Sequence, residues 1–168
     1  AQTGPIKPKQ TSSEIEDELK LIMAEDEANK PTQPQTEPVA STTKKEVKGF
    51  VYEENAPLYF VVLLNKDVDI SSIKTSIETF NKNNSGLGTI KLTEDTYGNY
   101  NMLINGELPN VLSARSYMSK LMAEKTIWSS IPRTAYRTCI ISKENISRLK
   151  AQNNLTVYFE FMKEMYFK

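Results

Sequence analysis

The residue types that most often carry out chemistry are scarce in this chain of 168 residues. It contains no histidine, which excludes hydrolases built on a histidine base and removes the commonest protein ligand of zinc. Its single cysteine, Cys139, lies between Thr138 and Ile140 in a predicted buried strand, where a thiol behaves as a small inert hydrophobic group. We therefore predict that the protein is not an enzyme and has no catalytic residues.

Two acidic residues have a spacing that a cation could use. Asp67 and Asp69 place two carboxylates on one side of an extended segment. A calcium ion takes about six or more oxygen ligands, and no further ligand pattern follows. Because Asp69 immediately precedes a helical pattern, an N-cap role is favoured. Gly86-Leu87-Gly88 is too short for a phosphate-binding loop and precedes a strand. We expect no metal and no cofactor.

The charge balance bears on the class of partner. The chain has 21 basic and 21 acidic residues and no long basic run, so the electrostatic footprint of a nucleic-acid-binding protein is missing. The segment 99–105, predicted as a strand, also lacks the basic and aromatic signature of RNA-recognition strands. No segment approaches the roughly 20 apolar residues of a membrane span. We expect protein partners, with no nucleic acid and no direct membrane insertion.

The chain divides into two parts of different composition. Residues 1–48 contain five of the eight prolines, whereas residues 49–168 contain the tryptophan, all eight tyrosines and all six phenylalanines. The first part is predicted to be a disordered or extended linker that carries one amphipathic acidic helix at about 14–29. The second part, 49–168, is predicted to be an α+β domain. Since the chain begins at Ala1 without methionine, we expect a processed product or part of a longer protein.

The acidic helix has one apolar stripe. Ser13 and Glu16 form a possible capping box. The stripe could dock on a partner protein or on a neighbouring domain of a longer parent chain, or the helix could be a solvated segment that is marginally stable alone. The four candidate docking residues are Ile15, Leu19, Ile22 and Met23.

The domain begins with alternating strand and helix patterns. The uninterrupted apolar run Leu58–Leu64 predicts a strand that is covered on both faces. Asp69 is the expected cap of a first helix, which should end in the turn-forming residues 81–86. Asn110 is the expected cap of a second helix, which Pro132 should stop.

Two further strands and a last helix complete the pattern. Apolar residues alternate with polar ones at 90–92 and again at 100–104, with a hairpin turn predicted at 95–99. A short strand is predicted at 136–141, and Ser142 should cap a final helical stretch that is broken near Asn153 and Asn154.

This order of elements predicts a fold. Short connections and right-handed crossovers fold strand, helix, strand, strand, helix, strand and helix into a ferredoxin-like, or split βαβ, domain. It has a four-stranded antiparallel sheet with two helices on one face, and the additional C-terminal helix covers the other face or packs at the edge of the sheet. In this arrangement Leu58–Leu64 is a central strand.

The C-terminal helix is apolar on nearly every side. Its large side chains could all be core, or some could stay exposed as a docking site for a partner protein. The four candidate docking residues are Tyr158, Phe161, Met165 and Tyr166.

Four short motifs resemble one protein family. They are Phe80-Asn81 at the end of the first helix, Ala114-x-x-Tyr117 in the second, Ile141-Ser142-x-x-Asn145 at the last strand-to-helix junction, and Tyr158-x-x-Phe161-x-x-x-x-Tyr166 near the C-terminus. Residues 52–166 thereby resemble the C-terminal domain of Bacteroidetes tetratricopeptide-repeat lipoproteins. These belong to the group related to the gliding-motility and type IX secretion component called SprE or PorW.

The resemblance implies a location and a role. It implies a periplasmic domain, tethered to the outer membrane through a parent chain whose repeats precede it, that acts as a scaffold without catalysis. It further implies that Asn81 and Asn145 are helix caps and that Tyr117 and Phe161 are core residues.

Two functional hypotheses follow. The first is a non-enzymatic periplasmic interaction domain, whose partners are the upstream repeats of the same chain or secretion and motility components. The alternative is a small-ligand-binding regulatory domain of ACT type.

Overall fold

The computed structural model of this protein describes residues 43–84, 86 and 88–168. The predicted acidic helix at 14–29 and most of the linker lie outside the described residues. The described part is a mixed α+β domain with a four-stranded antiparallel sheet, which confirms the predicted α+β class. In chain order the strands and helices are β1 (Lys45–Val47), β2 (Phe50–Tyr52), β3 (Leu58–Asn65), α1 (Ile70–Asn83), β4 (Lys91–Tyr97), β5 (Tyr100–Leu108), α2 (Val111–Ala123), α3 (Lys125–Trp128), β6 (Tyr136–Ser142), α4 (Lys143–Gln152) and α5 (Leu155–Tyr166).

The main sheet has the strand order β4-β5-β3-β6, and each neighbouring pair is antiparallel. Strand β3 therefore lies inside the sheet, as the apolar run predicted. Its residues Phe60 to Leu64 are all 0% exposed, because both faces of the strand are covered. Strands β4 and β6 are the two edges.

Side chains alternate along β3 and so define two faces of the sheet. The α1/α2 face contains Phe60, which packs against Tyr117 of α2 at a ring-centroid distance of 5.6 Å. Phe80 of α1 lies 6.0 Å from the same tyrosine ring. The opposite face, here the α5 face, contains Val61 and its register partner Cys139. Each face thus has its own helical cover.

The hairpin of β1 and β2 packs against the C-terminal helix. The Phe50 ring lies 4.9 Å from the Tyr158 ring and 5.6 Å from the Phe161 ring. Lys48 and Gly49 both have positive φ angles, 55° and 82°, as a type I′ hairpin turn requires. Strand β1 falls within the stretch up to residue 48 that was predicted as linker, so the folded part starts before Gly49.

The predicted helix caps at Asp69, Asn110 and Ser142 are confirmed, because each side chain accepts a hydrogen bond from a backbone N–H of the first turn. The predicted break in the last helical stretch is also confirmed. Asn153 separates α4 from α5 and adopts a left-handed conformation with φ 50°. Asn154 then caps α5 through its side chain.

Two predicted boundaries were wrong. The hairpin between β4 and β5 turns over Gly98 and Asn99 alone, since Gly98 supplies the positive φ of a two-residue turn. The second long helix does not run to Pro132 but ends at Ala123. There the Trp128 indole donates a 2.7 Å hydrogen bond to the carbonyl of Leu121, one of the last carbonyls of α2.

The asparagines that the resemblance assigned to caps are buried inside the domain instead. Asn81 belongs to a polar network in which its Nδ2 donates to Asn105 Oδ1 at 3.3 Å, and the Tyr117 hydroxyl lies 2.7 Å from its Oδ1. Asn105 Nδ2 donates to the carbonyl of Phe60 at 3.3 Å. The network joins α1, α2, β5 and β3. Tyr117 and Phe161 are 0% exposed, which confirms them as core residues.

Asn145 attaches the hairpin to the rest of the domain. Its Oδ1 accepts from the Val51 N–H at 2.8 Å and its Nδ2 donates to the Val51 carbonyl at 2.7 Å. The amide thus pairs with Val51 as a neighbouring strand would. Ser142 alone caps the helix at this junction.

We expect Asn145→Leu to lower the free energy of unfolding by roughly 2–4 kcal/mol, because the N–H and the carbonyl of Val51 would both be left buried without partners. Urea unfolding gives the total change, and amide hydrogen exchange at Val51 should accelerate. Asn83→Ala, an exposed asparagine of α1, is the matched control and should change stability by about 0.5 kcal/mol or less. Equal stabilities of the two variants would contradict this role of Asn145.

Candidate functional site

The edge of the sheet at β6 is closed by α5. Ile140 directs its backbone groups away from β3, and two side chains of α5 receive them. The Ile140 N–H donates to Met162 Sδ at 3.4 Å, and the Tyr158 hydroxyl donates to the Ile140 carbonyl. An edge strand whose outward groups are satisfied by a helix cannot accept another strand there.

Because α5 packs on this edge, the prediction that its large side chains could form a docking site is wrong for three of the four residues. Tyr158 and Phe161 are 0% exposed and Tyr166 is 2% exposed, so these three side chains are core and do not form a docking surface. Met165 is half-buried. The other four predicted docking residues, Ile15, Leu19, Ile22 and Met23, lie outside the described residues.

Strand β4 forms the opposite edge, and among the described strands it pairs with β5 alone. Its register with β5 continues over seven residue pairs, from Lys91 opposite Gly106 to Tyr97 opposite Tyr100, without a bulge. No proline interrupts it. Two ion pairs hold its side chains to the domain, one between Glu94 and Lys74 of α1 and one between Asp95 and Lys150 of α4. The strand is therefore an open edge at Leu92 and Glu94, while the Thr96 N–H donates to Asp95 Oδ1 at 2.7 Å.

A groove of about 510 Å³ lies beside β4 on the α5 face, where α5 does not reach. Tyr59 forms part of its wall, and the Tyr59 hydroxyl donates to Glu107 at 3.0 Å. A Cβ at Gly106 would lie 2.3 Å from the Tyr59 ring, so only glycine lets this ring lie on β5. The groove is lined by Tyr59, Thr89, Lys91, Thr93, Ile104, Gly106 and Glu107.

A second, larger cleft of about 820 Å³ lies at the other end of the sheet, between the β4–β5 turn and the start of α5. Arg137 is exposed within it, and among the described residues no carboxylate lies within 4.0 Å of its guanidinium. Half-buried Tyr100 and Phe159 and exposed Asn99 and Thr156 share the lining. The cleft combines one cation with aromatic and polar groups.

The titratable groups of the interior are neutral core residues. Burial raises the pKa of the Cys139 thiol to about 12, so the thiol is protonated at neutral pH and is a poor nucleophile, as predicted. Burial also raises the pKa of the Tyr158 hydroxyl well above its usual value.

At the surface, the Ser72 hydroxyl and the Ser71 N–H donate to the Asp69 carboxylate and lower its pKa.

In the part of the chain that the structure describes, no three histidine, cysteine or acidic side chains are grouped as a metal site would need. Within the same residues, no helix has the length and apolar character to cross a membrane. Comparisons with protein-family models, with curated proteins and with solved structures found no match for this chain.

The sequence indicated a hairpin strand at 90–92 but missed the free edge and its groove. The charged residues Lys91, Glu94 and Asp95 were the available signal. A half-exposed strand in the middle of a sheet can carry charged side chains on its open face as well. Only the strand order places β4 at the edge.

We expect stability to fall at alkaline pH. Burial raises the pKa of Tyr117, Tyr158, Tyr166 and Cys139 in the folded state. The unfolded groups ionise near pH 8.5 for cysteine and about 10 for tyrosine, so above those values the unfolded state has lost protons that the folded state keeps. Stability should be constant from neutral pH to about pH 8 and then fall by up to about 1.4 kcal/mol per pH unit for each group.

Urea unfolding at a series of pH values between about 7 and 11 measures this slope. Tyr158→Phe removes one of the phenols, so its slope above pH 10 should be shallower by up to about 1.4 kcal/mol per pH unit, although its stability at neutral pH is lower because the bond to Ile140 is lost. Identical slopes for the two proteins would show that Tyr158 is ionised in the fold.

Proposed function

We propose that this protein is a non-enzymatic protein-interaction domain with a ferredoxin-like fold, and that it binds protein segments along β4. The strand order β4-β5-β3-β6 and the connections through α1 and α2 support the ferredoxin-like assignment. The exposed edge supports the interaction role.

The observation that carries the proposal is the difference between the two edges of the sheet. Side chains of Tyr158 and Met162 satisfy the outward backbone groups of Ile140 in β6. In β4 the Thr96 N–H is bound by Asp95 Oδ1, and among the described residues no helix covers the outward groups of Leu92 and Glu94 in this way. An extended segment can therefore add to β4 by backbone hydrogen bonds, and its alternate side chains can enter the neighbouring groove.

The groove provides selectivity for such a segment. Ile104 is half-buried on its floor. Lys91 and Glu107, both exposed, lie at its rim with opposite charges. A bound strand with an apolar residue flanked by charged ones fits this lining. Its apolar side chain would cover Ile104, and its charged side chains would pair with Lys91 and Glu107.

We further propose that the domain is the C-terminal part of a periplasmic repeat lipoprotein associated with the outer membrane through its parent chain. In that protein it would act as a scaffold of gliding motility or type IX secretion. The core positions of Tyr117 and Phe161 agree with the structural roles that the resemblance implies for them. The partners would then be the upstream repeats or other components of the same machinery.

A small-ligand-binding regulatory domain of ACT type is the second candidate, and the cleft around Arg137 favours it. A guanidinium without a carboxylate partner among the described residues can bind a ligand carboxylate in a bidentate manner. Tyr100 and Phe159 offer rings for the apolar part of such a ligand.

We expect Glu94→Pro to abolish binding of extended peptides to β4. By its place in the hairpin, the Glu94 N–H points away from β5, so proline removes a donor from the open edge and leaves the bonds to β5 in place. Peptides selected from a random displayed library on the wild-type domain should bind the variant at least about tenfold more weakly.

Glu94→Ala is the matched control, because it also loses the ion pair with Lys74 but keeps the backbone N–H. It should bind the selected peptides as the wild type does. Binders that Glu94→Pro does not affect, or a library that yields no binder on a chain that is monomeric, would contradict the proposed role of the edge.

The second candidate makes a different prediction. If the Arg137 cleft binds small carboxylates, one member of a panel of amino acids and dicarboxylates should raise the melting temperature of the wild type by a few degrees. Arg137→Ala should lose this shift, and Arg137→Lys should retain part of it because the charge stays. A ligand-dependent shift of this kind would favour the regulatory domain over the interaction domain.

A further inference from the structure

The two-residue turn at Gly98 and Asn99 determines which backbone groups of β4 are free. Tyr97 and Tyr100 flank this turn, so they form a hydrogen-bonded pair, and bonded and non-bonded pairs alternate from there. Thr93 and Asp95 therefore direct their N–H and carbonyl groups toward β5. The groups of Leu92, Glu94 and Thr96 point outward, and of these the Thr96 N–H already donates to Asp95 Oδ1 at 2.7 Å.

This alternation limits how β4 can pair with a second copy of itself. In an antiparallel pair related by a two-fold axis, outward-pointing residues must face outward-pointing residues. The axis therefore passes through a residue of β4 and not between two residues. An axis through Glu94 sets Glu94 against its own copy, and an axis through Asp95 does the same with Asp95. Like charges directly opposite each other are unfavourable.

An axis through Thr93 has the opposite effect. It places Lys91 of each copy opposite Asp95 of the other, so two pairs of opposite charge form on the same face. Thr93 meets Thr93 of the second copy in a non-bonded pair, where side chains are closest, and threonine pairs are favourable in sheets. Leu92 and Glu94 then exchange the backbone hydrogen bonds. Charge complementarity thus selects one register.

We propose that β4 pairs antiparallel with β4 of a second copy of this chain, with Thr93 on the two-fold axis. The result is a symmetric dimer with a continuous eight-stranded sheet. In each copy Asp95 is paired with Lys150 of α4 and accepts a hydrogen bond from the Thr96 N–H, so Lys91 of the other copy would join an existing ion pair. Lys91 and Thr93 line the groove in each copy, so the two grooves meet at the axis. This inference rests on the proposed interaction role of the β4 edge and names its occupant.

Exchange of the charges across the axis tests the register. With the full chain, sedimentation equilibrium should show a dimer for the wild type and at least about tenfold weaker association for Lys91→Glu alone and for Asp95→Lys alone, since each would place like charges together. A mixture of the two variants should form a heterodimer, because the glutamate introduced at 91 meets the lysine introduced at 95. Glu94→Pro should prevent dimerisation and Glu94→Ala should allow it.

A disulfide tests the position of the axis. Thr93→Cys should be oxidised readily to a covalent dimer, because Cα atoms of a non-bonded antiparallel pair lie about 4.5 Å apart. Thr96→Cys is the control. Its two copies would be six residues apart along the strands, about 20 Å, and should not crosslink. The native Cys139 is buried and does not interfere.

The outcomes separate this inference from the proposed function. A wild-type chain that stays monomeric but binds selected peptides in a manner sensitive to Glu94→Pro would overturn the dimer and leave the interaction role of the edge intact. A dimer that persists in Glu94→Pro, or a mixture of the charge variants that does not associate, would also overturn the proposal. Loss of both dimer and peptide binding would overturn the edge as a binding site altogether.

Discussion

Complete burial of β3 on both of its faces is the constraint on which the rest of this structure depends. Phe60 to Leu64 are five consecutive residues without solvent exposure, and burial of each such side chain stabilises the fold by roughly 1.5–3 kcal/mol. One layer of helices cannot cover both faces. Helices α1 and α2 therefore pack on one face, while the hairpin of β1 and β2 and the C-terminal helices cover the other.

The second cover determines which edge of the sheet stays open. Helix α5 lies close enough to β6 for Tyr158 and Met162 to bind the backbone of Ile140, so its apolar side chains are used within the domain. The same helix reaches the α5 face only in part and leaves Ile104 half-buried beside β4. The groove and the free edge are thus consequences of where α5 packs. The two edges thus differ, because α5 covers Ile140 in β6 whereas β4 pairs with β5 alone among the described strands.

The buried asparagines form hydrogen bonds between parts of the chain that are far apart in sequence. Asn145 replaces a neighbouring strand for Val51, 94 residues earlier in the chain, and Asn105 binds the carbonyl of Phe60, 45 residues earlier. Among the described residues every buried side-chain nitrogen and oxygen has a hydrogen-bond partner. Such satisfied networks are specific, because a different packing would leave polar groups buried without partners. They explain why these amides are better understood as connections than as helix caps.

The sequence alone predicted the four strands of the main sheet, the longer helices and their order, but it missed the hairpin of β1 and β2 and the short helix α3. The surfaces were decided by the structure. The apolar run at Leu58 and the caps at Asp69, Asn110 and Ser142 are local signals, because each depends on residues within one turn or one strand. Whether Tyr158 is core or surface depends on a carbonyl 18 residues away, and whether β4 is an edge depends on the pairing of all four strands. These are contacts between distant parts of the chain, which periodicity and capping patterns do not encode. Tertiary packing therefore decided that the aromatic C-terminal helix is internal and that the charged strand from Lys91 to Tyr97 is the accessible one.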